Sequence, residues 1–344
     1  MVNTISIEEF VQKAATLPVL DVRAPKEYEV GHIPQAHSFP IFDDAQRAVI
    51  GTAYKQQGHD PAVLLGLDLF GPKMSGFVKQ AGKLAKDKEL LVHCWRGGMR
   101  SSAMAWLLNF SGYNVHLLQG GYKAYRHLMQ EQFQKPWPLL VIGGLTGSGK
   151  TDLLPHLQQL GQQIVDLEEL ANHKGSAFGS IGMPPQPSTE HFENLLGMEL
   201  LKLNERQALW LEDESITIGR VVMPKPLYDR MQESPTVVLE LPKQLRVQKL
   251  AEEYCRTDKA LLEASILKIK KRLGGLATKE ALEAIASGDM EKMVEIALTY
   301  YDKAYTYELA RKQQVLPLPL DGIDPAENAQ RVLAFAQQHN LLYI

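Results

Sequence analysis

Residues 139–151 read LLVIGGLTGSGKT, an apolar run that leads directly into a glycine-rich loop. The loop, residues 144–151, matches the pattern G-x-x-x-x-G-K-[S/T], and the DLLPHLQQL that follows has helical periodicity. In a strand–loop–helix unit of this pattern, the backbone N–H groups at the helix N-terminus form a cradle for phosphate. The stretch therefore predicts a P-loop and, with it, a parallel α/β sheet in the second half of the chain.

The residues of this loop have separate roles in binding phosphate. The glycines let the backbone approach an anion closely, Lys150 brings a positive charge to the terminal phosphates, and the Thr151 hydroxyl can ligate a metal. The pattern alone does not distinguish a nucleotide from another diphosphate, and we assign no metal ligand. The residues predicted to bind a diphosphate are Gly144, Gly147, Ser148, Gly149, Lys150 and Thr151.

Apolar runs alternate with helical patterns on both sides of the loop. VLDVR, ELLVHC and NVHLLQGG precede it, and QQIVDL, ALWLEDE, TVVLEL and QQVLPLPL follow it. This alternation is typical of parallel sheets with helices on their faces, so the predicted fold class is α/β. Prolines at positions 136 and 138 interrupt the pattern. We therefore predict one domain over residues 1–134 and a second over 139–344, with a helical insertion at about 242–311.

Composition narrows the class of protein. The 344 residues are 45% hydrophobic and 22% charged with a net charge of −3, which is ordinary for a globular protein and excludes a globally basic one. The N-terminus has no signal-peptide pattern, and no apolar run approaches the roughly 18 residues of a membrane span. We therefore expect a cytoplasmic protein with no membrane partner. Two cysteines, Cys94 and Cys255, do not make a disulfide framework.

Residues 93–101, HCWRGGMRS, form a second loop that can carry chemistry. Cys94 follows the apolar run ELLV and precedes a helical pattern, and a helix N-terminus with two nearby arginines favours a thiolate. The pattern H-C-x5-R-[S/T] is that of the phosphate loop of cysteine phosphatases, and it equally suits a loop that carries sulfur or selenium. Cys255, in a helical pattern, is expected to be structural. Cys94 is the predicted nucleophile, and the predicted oxyanion cradle is Arg96, Gly97, Gly98 and Arg100.

Polar residues beside these loops are candidates for substrate contact. A polar segment follows the QQIVDL strand, and an acidic run follows ALWL, where a metal-orienting acid is expected. Arg220 and Arg246 are candidate clamps for a diphosphate. The alternatives are a surface histidine, a solvated acidic turn and, for the arginines, a salt bridge at the surface, which we favour for Arg246. The candidates are His173, Lys174, Ser176, Glu212, Asp213 and Arg220.

A basic cluster occurs in the stretch KALLEASILKIKKRLGG, on a chain of acidic net charge. Its cations lie at the end of a predicted helix, where they can contact the phosphates of a nucleic acid or complement the helix dipole. Tyrosines at positions 300, 301, 305 and 307 can stack on bases or pack at helical spacing. The candidate nucleic-acid contacts are Lys268, Lys270, Lys271 and Arg272.

Further motifs resemble known families. DVRAPKEYEVGHIPQA, residues 21–36, and LQGG, residues 118–121, resemble rhodanese-type domains, although the cysteine loop is one residue longer than in ordinary sulfurtransferases of that fold. A rhodanese-like domain joined to a P-loop NTPase-like domain resembles the tRNA 2-selenouridine synthases. CWRGGMRS, GGLTGSGKT, DLEELANHKGSAFG and LEDESITIGR are similar to signatures of that family, and the resemblance covers nearly the whole chain.

That resemblance implies a bacterial transferase that acts on tRNA with 2-thiouridine at the wobble position. It implies S-geranylation by geranyl diphosphate, then replacement of the geranylthio group by selenium from selenophosphate. No cofactor would be tightly bound, and an enzyme that supplies selenophosphate would be a partner. The P-loop would hold the diphosphate, Arg96 and Arg100 the selenophosphate, and the basic cluster the tRNA. Cys94 would accept selenium as a perselenide or attack the modified base.

Two other functions are compatible with the residues of the loops. A cysteine-dependent phosphatase or sulfurtransferase regulated by a nucleotide-binding domain would use the same two loops. A non-catalytic sulfur-carrier adaptor would need only Cys94. The loops alone do not decide between these functions, because a phosphatase also requires a positioned general acid that they do not contain.

Overall fold

The computed structural model describes residues 2–342, which form two compact units. Unit 1 comprises Met1–Gln132 and Glu193–Met198, and unit 2 comprises Phe133–Phe192 and Glu199–Ile344. Each unit contains a five-stranded parallel sheet with helices between its strands, so the predicted α/β class is confirmed. The sequence did not indicate that Glu193–Met198 groups with unit 1.

The sheet of unit 1 is built from five short strands: β1 (Val2–Ile5), β2 (Val19–Asp21), β3 (His37–Ser38), β4 (Glu89–His93) and β5 (Asn114–Leu118). Their order across the sheet is β1-β5-β4-β2-β3. The central strand β4 pairs with β2 and with β5, and Leu90, Leu91 and Val92 are fully buried because helices cover both faces of the sheet. The carboxyl end of β4 therefore opens at the middle of the sheet edge.

Seven α-helices surround this sheet: α1 (Ile7–Ala14), α2 (Pro25–Val30), α3 (Asp44–Gln57), α4 (His59–Phe70), α5 (Met74–Leu84), α6 (Met99–Phe110) and α7 (Gly121–Gln134). Capping residues in the sequence fix the residues at which several of these helices begin. The Ser6 side chain accepts from the N–H of Glu9 at the start of α1, and an Asp43 capping box starts α3. The core contains Phe77 of α5 with Met104 and Leu108 of α6, and these side chains pack against the strands.

The sheet of unit 2 contains the strands β6 (Leu139–Gly144), β7 (Gln163–Val165), β8 (Leu209–Glu212), β11 (Thr236–Glu240) and β12 (Val315–Pro319). Their order is β12-β11-β6-β8-β7, and every pairing is parallel. All six residues of β6 are buried at the centre. A two-stranded antiparallel hairpin, β9 (Thr217–Ile218) and β10 (Val221–Val222), was not predicted, because strands of two residues leave no periodicity to detect.

The helices of unit 2 are α8 (Lys150–Gln159), α9 (Leu167–Ala171), α10 (Thr189–Leu201), α11 (Lys225–Glu233), α12 (Lys243–Tyr254), α13 (Lys259–Leu273), α14 (Gly275–Ser287), α15 (Met290–Leu309) and α16 (Pro325–Gln338). The four helices α12 to α15 occupy the segment in which a helical insertion was predicted, and they share an apolar core of their own. Gly274, with φ +94°, separates α13 from α14. We refer to α12–α15 as the helical block.

None of the helices within residues 2–342 combines the length and the apolar character needed to cross a membrane.

Candidate functional site

The cysteine loop lies between β4 and α6, at the carboxyl end of the central strand of unit 1. Cys94 is 3% exposed, and the first N–H groups of α7 hold the loop, since Tyr122 donates to the carbonyl of Cys94 and Lys123 to that of Trp95. Gly97 has φ +69°, and a Cβ there would lie 2.9 Å from the carbonyl oxygen of Leu118. A residue with a side chain would therefore not fit at this turn of the loop.

Hydrogen bonds around the Cys94 sulfur favour its ionised form. The Sγ atom lies 3.1 Å from the hydroxyl oxygen of Ser101, the third residue of α6. Burial alone raises the pKa of the Cys94 thiol, but hydrogen bonds from Ser101 and from the backbone of Arg96, with the charge of Arg100, bring that pKa below its usual value. The loop thus favours the thiolate form of a sulfur that solvent hardly reaches.

The two arginines of the loop have different surroundings. Arg96 is exposed, whereas Arg100 forms a two-pronged contact with Glu27, with Nη1–Oε2 at 2.7 Å and Nη2–Oε1 at 3.4 Å. Glu27 also contacts Nε of Arg47 at 2.9 Å, and these cations lower the pKa of Glu27 although burial opposes them. Glu27 therefore orients Arg100 beside the loop. The sequence placed Glu27 in a family-like motif without assigning it this role.

A buried ion pair supports the floor of the loop. Asp21 and Arg23 are both fully buried, with Nη2–Oδ2 at 2.6 Å, and the Arg23 guanidinium lies 3.7 Å from the ring centroid of Tyr122. His93 lies behind them with Nε2 3.7 Å from Asp21, and burial lowers the pKa of its imidazole, which is therefore neutral. These residues fix the strand ends from which the loop starts.

The P-loop lies between β6 and α8, at the centre of the sheet edge of unit 2. Gly144, Gly147 and Gly149 have φ values of +150°, +83° and +85°. A Cβ on Gly147 would lie 2.8 Å from Leu250, so the loop packs closely against α12. The Lys150 ammonium donates to the carbonyl of Gly144 at 3.0 Å, which keeps the lysine folded over the loop. The predicted strand–loop–helix unit is thus present.

Carboxylates converge on the last residue of the P-loop. The Thr151 hydroxyl oxygen lies 3.0 Å from Glu168 and 2.7 Å from Glu212, and ligand atoms of Glu168, Glu212 and Glu214 lie within 4.8 Å of one another. Because one hydroxyl donates a single hydrogen, a proton on one of these carboxyl groups would make the second contact a full hydrogen bond. Hydroxyl and carboxylate oxygens are the ligands that a hard divalent cation such as Mg²⁺ prefers.

The protonation of this cluster follows from its burial. Desolvation and the neighbouring Glu168 raise the pKa of Glu212 well above its usual value, and the same causes raise that of Glu214 to about 8. The sequence singled out Glu212 but assigned no metal ligand. It included Glu214 only as part of the acidic run after ALWL, and it did not single out Glu168, which follows β7, the neighbour of β8 in the sheet.

Asp213 belongs to a different network. It forms an ion pair with Lys312 at 2.7 Å and accepts a hydrogen bond from the Tyr305 hydroxyl at 3.1 Å. The same hydroxyl accepts from the N–H of Gly144 at 2.7 Å. Asp213 therefore supports Gly144, the first residue of the P-loop, through Tyr305 of α15. Tyr305 thus packs between the two residues and is hydrogen-bonded to both.

Arg246 holds the P-loop from α12. Its guanidinium donates to the carbonyl of Thr146 at 3.1 Å and pairs with Asp302 at 2.8 Å. The sequence favoured a salt bridge at the surface, and the surface location is wrong, because Arg246 is 3% exposed. The helical block thus braces the P-loop at two points.

A cavity of about 640 Å³ opens from the P-loop toward the helical block. Lys150, Thr151, Glu168 and Glu214 lie at its polar side. Apolar and aromatic side chains also line the cavity, and together we call them the apolar wall: Phe178, Ile181, Met183, Leu250, Tyr254, Ile269, Tyr300, Tyr301 and Tyr305. A molecule with an anionic head and an apolar tail would match both sides of this cavity.

Some of the candidate contact residues line this cavity and others do not. Lys174, Ser176 and Arg272 line it, and Arg272 donates to the Tyr300 hydroxyl at 2.8 Å. His173 is buried against Gly179 and Gly219, and Arg220 is exposed in the turn between β9 and β10, so neither is among the lining residues. The remaining cations of the basic cluster, Lys268, Lys270 and Lys271, are exposed on α13 outside the lining.

Two other residues considered in the sequence are exposed. Cys255 caps the end of α12 and is exposed, so it does not pack in a core. Tyr307 is also exposed, with the Arg311 guanidinium 4.4 Å from its ring centroid, whereas Tyr300 and Tyr301 line the cavity.

A cysteine loop in one α/β unit and a P-loop in another define a rhodanese-like domain joined to a P-loop domain. Known families agree with this class: a rhodanese-like domain matches residues 6–128, and the tRNA 2-selenouridine synthase AAA domain matches residues 137–340. Relatives named tRNA 2-selenouridine synthase match almost the full length. The relative from Shewanella denitrificans is 36% identical over 86% of this chain and 89% of its own.

Two further relatives carry the same name. The protein of Shewanella loihica is 37% identical over 91% of this chain and 92% of its own, and that of Aeromonas salmonicida is 34% identical over 87% and 89%. The chain belongs to the tRNA 2-selenouridine synthase family.

Proposed function

We propose that this chain is a tRNA-modifying transferase that converts wobble 2-thiouridine to 2-selenouridine. It would first transfer a geranyl group from geranyl diphosphate to the sulfur, and then replace the geranylthio group by selenium from selenophosphate. The name shared by the relatives supports the overall reaction. The observation that carries the geranyl step is the cavity that both the P-loop and the apolar wall line.

The first step would use the cavity of unit 2. The diphosphate would occupy the P-loop, where Lys150 and the backbone N–H groups stabilise the charge that develops as the allylic C1–O bond breaks. Ile181 and Ile269 would contact the apolar chain. The thiouridine sulfur forms the new bond to C1, diphosphate leaves, and the proton on the base nitrogen is lost to solvent.

The carboxylate cluster fits a divalent cation beside the diphosphate. Thr151, Glu168, Glu212 and Glu214 would hold it with oxygen ligands only, in keeping with the chemistry of Mg²⁺. Such an ion supplies charge neutralisation for the leaving diphosphate. When no cation is bound, protons on the buried carboxyl groups reduce their mutual repulsion.

The second step would use the cysteine loop of unit 1. Arg96, Arg100 and the loop N–H groups would hold the oxygens of selenophosphate. The Cys94 thiolate would attack phosphorus, so that an S–P bond forms, the P–Se bond breaks, and hydrogen selenide is released. The selenide adds to C2 of the base and expels geranylthiolate. Water then hydrolyses the phosphocysteine to phosphate.

Electron balance excludes a perselenide on Cys94. In attack at phosphorus, every sulfur, selenium and phosphorus atom keeps its oxidation state. A perselenide made from a thiolate and a selenide would require the loss of two electrons, and the proposed reaction supplies no oxidant. Attack at phosphorus also suits the phosphatase-like spacing of the loop.

Nucleoside analysis tests the assignment. A deletion strain would be complemented with the wild type, Cys94→Ala or Lys150→Ala, and bulk tRNA nucleosides would be measured by mass spectrometry. We expect Lys150→Ala to leave 2-thiouridine and Cys94→Ala to accumulate the geranylated nucleoside. Cys255→Ala is the matched cysteine control and should restore selenouridine. The proposal would be contradicted if both loop variants fully restored selenouridine. It would also be contradicted if the wild type hydrolysed aryl phosphates and modified no tRNA.

A further inference from the structure

Helix α6 exposes large apolar side chains along one face. Met99, Trp106 and Phe110 are 60%, 55% and 80% exposed, and their spacing of seven and four residues places them on the same side of the helix. The rings of Trp106 and Phe110 are stacked, with centroids 5.9 Å apart and planes at 22°. We call these three residues the α6 face.

The α6 face is continuous with the cysteine loop. Met99 is the first residue of α6 and follows Gly98 of the loop, and Ser101, two residues further along, contacts the Cys94 sulfur. The helix has 12 residues and is therefore about 18 Å long. A molecule that lies along this face would have one end beside the cysteine loop.

The segment of sequence that contains the α6 face is basic. Residues 73–112 contain seven lysines and arginines but two acidic residues, on a chain whose net charge is −3. Arg96 is exposed at the start of the helix. At the other end, the Lys88 ammonium lies 3.8 Å from the position that a Cβ on Gly112 would occupy. Helix α6 itself carries no acidic residue. This charge is complementary to a polyanion.

We propose that the α6 face binds RNA by stacking unpaired bases of the tRNA anticodon loop, next to the wobble nucleotide presented to Cys94. The inference rests on the proposed function. Unpaired bases stack on exposed aromatic rings while nearby cations contact the phosphates, and both features occur here together. A purely apolar protein partner would account for Trp106 and Phe110 but not for the excess of lysines.

Binding measurements with the full chain test the inference. A fluorescently labelled anticodon stem–loop RNA would be titrated with the wild type and with the double variant Trp106→Ala, Phe110→Ala. We expect the Kd to rise about tenfold to a hundredfold, since stacking contributes roughly 1–3 kcal/mol per base. Trp106→Phe should retain most of the affinity because it keeps an aromatic ring. Leu64→Ala, at a 64% exposed leucine of α4, is the control and should bind like the wild type.

The outcomes separate this inference from the proposed function. If the wild type makes selenouridine but the double variant binds the RNA with unchanged Kd, the α6 face does not bind tRNA. If that variant instead loses binding to the selenophosphate-supplying enzyme, the face is a protein-binding surface and the RNA assignment is overturned. If the wild type modifies no tRNA, the proposed function itself fails. Thermal unfolding should be unchanged, because the substituted rings are exposed.

Discussion

The cysteine loop and the P-loop are similar in backbone and opposite in side-chain charge. Each follows the central buried strand of a parallel sheet, turns on glycines with positive φ, and leads into a helix. Beside the cysteine loop, Arg100 pairs with the single carboxylate of Glu27, and Arg96 is exposed. Beside the P-loop, Lys150 faces a cluster of glutamates that burial keeps partly protonated.

This difference indicates how one architecture supports two kinds of chemistry. The strand end and the helix N-terminus provide N–H groups for an anion in both units. In unit 1 the surplus positive charge favours a thiolate and an oxyanion. In unit 2 the surplus negative charge favours a cation as well as a diphosphate. The separation of the two proposed steps between the units can therefore be tested by changing these side chains.

The largest effect is expected from Glu27→Gln, which removes the charge that orients Arg100. The KM for selenophosphate should rise about tenfold to a hundredfold, since a hydrogen bond to a charged group contributes roughly 1.5–3 kcal/mol. The kcat at saturation and the rate of geranylation should change little. Steady-state kinetics of the two steps, measured separately, check this split between KM and kcat.

Arg47→Gln is the matched control, because Arg47 contacts the same carboxylate from a half-exposed position away from the loop. It should leave the KM for selenophosphate unchanged. An equal loss in both variants, or a loss of geranylation in Glu27→Gln, would mean that Glu27 acts through the stability of unit 1 instead of through Arg100.

A smaller effect is expected from Ile181→Ala in the apolar wall. The KM for geranyl diphosphate should rise about fivefold to tenfold, since each buried CH₂ group contributes about 0.8 kcal/mol and Ile181 is partly exposed. Inhibition by inorganic diphosphate should not change, because that ion lacks the chain. Leu276→Ala, at a 73% exposed position of α14, serves as the control. A parallel weakening of diphosphate inhibition would show that the wall does not bind the chain.

The smallest effect concerns pH. Glu214 has a pKa of about 8 in the fold against an ordinary 4.5, so the folded state holds its proton more tightly than the unfolded chain. This contribution to stability is present below about pH 4.5 and is lost as the pH rises toward 8. In EDTA, the Tm of unit 2 should fall by a few degrees across that interval, and Mg²⁺ should restore it most at the alkaline end.

Thermal melts of Glu212→Gln provide the comparison. Glutamine keeps the oxygen that accepts from the N–H of Glu168 but removes one buried carboxyl group. The variant should show a weaker pH dependence in EDTA and little response to Mg²⁺. A wild type whose Tm is insensitive to both pH and Mg²⁺ would remove the case for a cation site.

Several site residues followed from the sequence and others did not. Lys150, Thr151 and Cys94 belong to short motifs whose spacing predicts a strand, a loop and a helix, and the structure has these elements. Glu168 and Glu27 lacked such a signal, because each acts on a residue that is distant in sequence. The prediction that Arg246 lies at the surface was wrong for the same reason, because its partner Asp302 lies 56 residues further along the chain.

The sequence by itself determined the two α/β units and the position of both loops, because glycines, apolar strands and helix starts act over a few neighbouring residues. Only the tertiary structure decided what surrounds those loops. Arg100 meets Glu27 across 73 residues, Thr151 meets Glu212 across 61, and Gly144 meets Tyr305 across 161. Contacts of this range depend on sheet order and helix packing, which no local pattern specifies.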